Sequence, residues 1–171
     1  KRINKLKPSL WISKGVDILV THAPAEGYGD LDDLPHTGYA CFNELLDKYK
    51  KEKVIDVITN ILKAIHLKKY EDIMNYVDES EIDDLNEFFG YVEKTLELND
   101  FDTIDEYGVE CHFNPPYEYS QLEIYDYDGQ TGFAVDYDLT SNSELVDVVL
   151  QVEFLYTDND YTVRFLNVDS G

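Results

Sequence analysis

The stretch FAVDYDLTSNSELVDVVLQVEFLY, residues 133–156, decides how the chain folds. Phe133, Val135, Tyr137 and Leu139 alternate with Ala134, Asp136 and Asp138. Successive side chains of an extended chain point to opposite faces, so this period of two reads as a strand with one buried and one wet face. A long strand follows, with Val146, Val148, Leu150, Val152, Phe154 and Tyr156 on one side. Downstream, Thr157-Asp158-Asn159-Asp160 supplies turn residues, and Tyr161, Val163 and Phe165 alternate again in a last strand. Upstream, Asp128-Gly129 suits the positive φ of a hairpin turn, which places another strand at Leu122 and Ile124. One more strand is expected where Val109, Cys111 and Phe113 alternate with Glu110 and His112, before Pro115-Pro116 ends it.

Before residue 104 the period is helical. Val54, Ile55, Ile58, Ile61, Leu62 and Ile65 predict an amphipathic helix from about 52 to 65, closed by His66 as its cap. Tyr70, Ile73, Met74 and Val77 continue the pattern after a short break. Ser80 with Asp83 three residues on resembles a capping box, announcing a helix whose apolar face is Ile82, Leu85, Phe88, Phe89, Val92 and Leu96. Helices followed by strands make an α+β architecture, with N-terminal helices packed on one face of a curved antiparallel sheet. No internal repeat or low-complexity linker interrupts it.

The 171 residues carry 14 basic and 36 acidic side chains, a formal charge of −22, and 43% of them are hydrophobic, enough for a core. The charge is uneven. Residues 1–50 hold seven of each sign, whereas 51–171 hold seven basic against 29 acidic residues, and after Lys94 the sole Lys or Arg is Arg164. Such a balance repels nucleic acid and anionic membranes and suits a basic protein as partner. Cys41 and Cys111 form no C-x-x-C pair, no apolar run approaches the ~20 residues of a membrane span, and the first residues lack the apolar stretch of a signal peptide. The expectation is a cytoplasmic protein.

Two segments of unlike composition therefore adjoin, residues 1–50 and 51–171. In the first, Val16-Asp17-Ile18-Leu19-Val20 reads as a buried strand that stops at Thr21-His22, a Gly- and Asp-rich loop follows, and Phe42, Leu45, Leu46 and Tyr49 fall at helical spacing over 42–49. His22 at the strand end either hydrogen-bonds a neighbouring loop or serves as a rigidly held ligand. The run Val16–Pro24, with Gly-Tyr-Gly-Asp and Leu34-Pro35-His36-Thr37-Gly38-Tyr39 behind it, resembles the late part of calcineurin-like metallophosphoesterases over residues 3–50. That resemblance implies a fragment of an α/β metallophosphoesterase in which His22 ligates one of a pair of divalent ions, Mn or Fe. Residues 1–15 contain none of the family's early D-x-H, G-D and G-N-H segments, Tyr49-Lys50 leads into Lys51-Glu52-Lys53 instead of the closing G-H-x-H, and two metals ~3.5–4 Å apart need a converging ligand set. No cofactor is therefore expected. Asp30, Asp32, Asp33 and His36 form either a minor cation site or a solvated loop.

Residues 52–170 resemble small bacterial domains of unknown function with a cone-shaped fold similar to nuclear transport factor 2, a group that implies enzymes, ligand binders and immunity proteins alike. An enzyme of that shape would use His112, Glu110, Asp136 or Asp138 in the space between sheet and helices. His112 falls on the polar side of its alternation, and neither cysteine nor any serine sits in a nucleophile motif. Tyr117, Tyr119, Tyr125, Tyr127 and Tyr137 either line a binding surface or are ordinary strand residues. Glu118, Glu123, Asp126, Asp128, Asp136, Asp138, Asp147 and Glu153 crowd the strands and turns with almost no cation to offset them. Like charges on facing strands cost stability, so they serve solubility or meet a positive partner. The expected function is a non-catalytic acidic binding domain, of immunity or inhibitor type. The alternative is a hydrolase, either a phosphoesterase whose other ligands come from elsewhere or a small-molecule enzyme using the cone pocket. These residues leave the oligomeric state open.

Overall fold

The computed structural model describes residues 40–98, 100–109, 111, 120–129, 131–157 and 160–170. The chain divides into two compact units, Lys1–Lys53 and Val54–Gly171. In the first unit the described residues are helical, and there Lys48 and Glu52 pair at 3.3 Å one turn apart. Thr21-His22 and its preceding strand, with Asp30, Asp32, Asp33 and His36, lie outside the described residues.

The first element, α1 (Ala40–His66), corrects the expectation of two helices over 42–49 and 52–65. Lys50-Lys51-Glu52-Lys53 contains no Gly or Pro, and lysine and glutamate are good helix formers, so a change in composition is not a change in conformation. Val54, Val57, Ile58, Ile61, Leu62 and Ile65 are buried along one face. The helix stops because Lys68 turns left-handed (φ 54°). Lys69 N–H then donates to Ala64 O and Lys68 N–H to Ile65 O, both at 2.9 Å, the paired closure that satisfies orphan carbonyls at a helix end.

A 3-10 helix (Tyr70–Asn75) and a two-residue strand β1 (Glu79–Ser80) lead into α2 (Leu85–Leu98). Ser80 was expected to open this helix and instead belongs to β1. The cap is Asp84, whose Oδ1 accepts the Glu87 N–H at 3.0 Å. The Ser80 hydroxyl is engaged with the main chain of Ile82.

Four further strands follow: β2 (Leu122–Asp126), β3 (Gly132–Ser141), β4 (Glu144–Tyr156) and β5 (Tyr161–Ser170). They form an antiparallel meander, and β1 adds to the edge of β5 in parallel, giving the order β1-β5-β4-β3-β2. The sheet is thus mixed rather than antiparallel throughout. Val109 and Cys111, expected in a strand, are in none: residues 107–108 form a turn with Gly108 at φ 85°. Glu110, His112 and Phe113 lie outside the described residues.

The register sorts the side chains. Phe133 faces Phe154, Val135 faces Val152 and Tyr137 faces Leu150, while Val152 and Phe154 face Phe165 and Val163 of β5. All eight of these positions in β3, β4 and β5 are buried on one side. Phe133 and Phe154 stack at 4.9 Å, and Phe89 of α2 bridges Tyr70 (4.4 Å, stacked) and Phe165 (6.2 Å), so helices and sheet close over a single core. At ~25 cal/mol per Å², burial of these rings together with the aliphatic side chains around them stabilises the fold.

Candidate interface on the open sheet face

The pleat that buries Phe133, Val135 and Tyr137 turns Ala134, Asp136 and Asp138 to the other side. Across the strands the same side carries Glu123 and Tyr125 of β2, Gln151 and Glu153 of β4 and Arg164 of β5. Two rows run across the sheet. One pairs Tyr125 with Ala134, Ala134 with Glu153, Glu153 with Arg164 and Arg164 with Glu79. The other pairs Glu123 with Asp136, Asp136 with Gln151 and Gln151 with Asn167.

The first row is a closed network. The Arg164 guanidinium donates from Nε (2.9 Å) and Nη2 (2.8 Å) to Glu79 Oε2 and from Nη1 (3.0 Å) to Glu153 Oε2. Tyr127, one residue past the end of β2, donates its hydroxyl to the other Glu153 oxygen at 2.8 Å, reaching β4 across a β3 that presents only Gly132 and Ala134 there. The Glu79 hydrogen bond, with both carboxylates, holds the Arg164 guanidinium still more firmly protonated than usual. Burial, then the Glu153 hydrogen bond, pushes the Tyr127 phenol up to about 12.

The second row is different. Glu123 and Asp136, directly opposed, carry the same charge, and neither pairs with a Lys or Arg among the described residues. Tyr125, about half exposed, donates its hydroxyl to Glu123. That bond, with burial and the charges of Glu123, Asp136 and Asp138, pushes the phenol up to about 12. Asp136 accepts a long 3.4 Å hydrogen bond from Gln151 Nε2.

The other expected site residues scatter. Asp136 and Asp138 face away from the core and so do not line the space between sheet and helices. His66 ends α1 but does not cap it: its Nδ1–H donates to Ile104 O at 2.8 Å, pinning the 101–109 loop. Tyr137 is buried against Tyr107, and burial first of all pushes its phenol up to about 12. Asp128 lies in the β2–β3 turn, Asp126 ends β2, and Asp147 sits in β4 at φ 54°. Tyr117, Glu118 and Tyr119 are outside the described residues. No three His, Cys, Asp or Glu among the described residues are grouped to hold a metal. No described helix is long and apolar enough to cross a membrane. A shallow polar groove runs along Lys69, Tyr70, Glu71, Asp72 and Asn86, where Asn86 Nδ2 donates to Glu71 at 2.6 Å.

Sequence reasoning missed the partners of Arg164, since Glu79 lies 85 residues away and only the sheet register brings the two together. The family described as Domain of unknown function (DUF7668) matches residues 62–170. No curated protein and no solved structure matches the chain.

Proposed function

We propose that this chain, which belongs to the DUF7668 family, is a non-catalytic binding domain that meets a basic protein through the open face of its sheet. The observation that carries this is the direct opposition of Glu123 and Asp136 on a solvent-facing row, neither paired with a Lys or Arg among the described residues. Opposed carboxylates destabilise the isolated sheet, and a positive partner relieves that repulsion while accelerating encounter. An inhibitor or immunity role, in which the acidic face covers the cationic surface of a target, follows from the same chemistry. The order helix, short strand, helix and antiparallel meander supports a cone-shaped fold similar to nuclear transport factor 2. The spacing of the two cysteines supports a reducing, cytoplasmic setting. The −22 charge argues against nucleic acid and anionic membranes as partners, because both would repel it.

The test is capture of proteins on the immobilised chain at low and physiological salt, beside the Glu123→Lys/Asp136→Lys variant. The expected result is retention of basic proteins by the native chain, weakened by salt and lost in the variant. Equal capture by both chains overturns the reading.

A further inference from the structure

Resting on the reading above, we propose that the partner contact at this face is an arginine, seated between Glu123 and Asp136 and lying against the Tyr125 ring. Three independent features on the same face converge. First, the face already holds one guanidinium: Arg164 spends Nε, Nη1 and Nη2 on carboxylates from two different strands, Glu79 and Glu153. From β5 its flat fork of separated donors reaches a carboxylate on each neighbouring strand, ~4.8 Å to either side, which the single ammonium of a lysine suits less well. Second, a carboxylate braced by a tyrosine hydroxyl recurs two strands over, on β2. Tyr127 braces Glu153 there, and Tyr125 braces Glu123 here by the same hydroxyl-to-carboxylate bond. The difference is what stands across from the braced carboxylate. Glu153 faces Arg164, whereas Glu123 faces Asp136. Third, Tyr125 is about half exposed at the sheet edge, where its ring offers a π face to a guanidinium docked on Glu123. Gln151, reaching Asp136 from the far side, keeps that carboxylate over the row.

The partner is thus a protein presenting an exposed arginine, not one that is merely basic. The charge complementarity is local: two carboxylates facing one another receive one delocalised cation by charge-assisted, planar hydrogen bonding.

The experiment titrates the full chain at physiological salt with an oligo-arginine and an oligo-lysine peptide of equal length, by calorimetry. Three chains are compared: native, Glu123→Gln/Asp136→Asn, and Glu97→Gln/Glu106→Gln, which removes the same charge elsewhere. Binding of the arginine peptide about tenfold tighter than the lysine peptide is expected, weakened about tenfold or more by the first pair of substitutions and less than about twofold by the second. In amide-resolved NMR the Gln151 side-chain signals shift with the arginine peptide. Equal weakening by both pairs, or no preference for arginine, overturns this assignment and leaves the broader basic-partner reading standing. Failure of both peptides to bind even at low salt overturns both readings.

Discussion

Asp105 Oδ2 accepts the backbone N–H of Ser143 at 2.8 Å, 38 residues away in sequence. Its Oδ1 accepts the neighbouring Asn142 N–H at 3.1 Å, and its own N–H donates to Thr140 O at 2.7 Å. One residue of an otherwise irregular loop therefore clamps the β3–β4 turn. With His66 holding Ile104 O, this fixes the middle of the 101–109 loop to α1 through Ile104 and to the meander through Asp105. Asp105→Ala leaves both turn N–H groups without that acceptor and is expected to cost about 2 kcal/mol. Asp105→Asn, which keeps one acceptor oxygen, is expected to cost about half as much. Urea unfolding of both variants checks the order.

Asn142 and Ser143 both have positive φ, 53° and 65°, which makes the β3–β4 connection a tight turn of the type that matches strand twist. Asparagine tolerates that region and serine does not. Ser143→Gly keeps the N–H that Asp105 receives and removes the Cβ cost, so a stabilisation of about 1 kcal/mol is expected, read as a rise of a few degrees in Tm.

Gly132 opens β3 directly opposite Leu155. A Cβ there would lie 2.3 Å from the Phe154 carbonyl oxygen and 3.0 Å from the Leu155 Cα, and backbone atoms do not move aside cheaply. Gly132→Ala is expected to destabilise by about 2 kcal/mol or more and to disturb the adjacent Phe133–Phe154 stack. Denaturation midpoints and near-ultraviolet circular dichroism report both effects.

Tyr125, Tyr127 and Tyr137 each have their phenol pushed up to about 12, and Tyr70, buried and bonded to Glu93, lies higher still. An ordinary tyrosine titrates near ~10. The folded chain thus holds these protons more tightly than the unfolded one. Their contribution to stability is fully present below about pH 10 and is lost as pH rises through about 12. Ultraviolet titration is expected to show late tyrosinate formation coinciding with alkaline unfolding, and Glu123→Gln to bring Tyr125 forward, since its hydrogen bond to Glu123 is the largest cause of the shift.

Legibility in the sequence followed how local the physics is. Strands β2 to β5 and the turn at Asp128-Gly129 were readable because alternation and turn chemistry are properties of a few adjacent residues. The continuity of α1 was not, because a jump in charge looks like a boundary while the backbone responds only to propensity and packing. The capping role of Asp84 was hidden by a better motif match at Ser80, which tertiary pairing with Phe165 drew into β1 instead.

From sequence alone came the α+β class, the apolar faces of the strands and the concentration of negative charge after residue 50, each a pattern of period or composition. Tertiary structure alone decided which carboxylates oppose one another, which ones Arg164 neutralises and what Asp105 holds. Those are matters of register, and register is set where strands distant in the chain meet over a shared core.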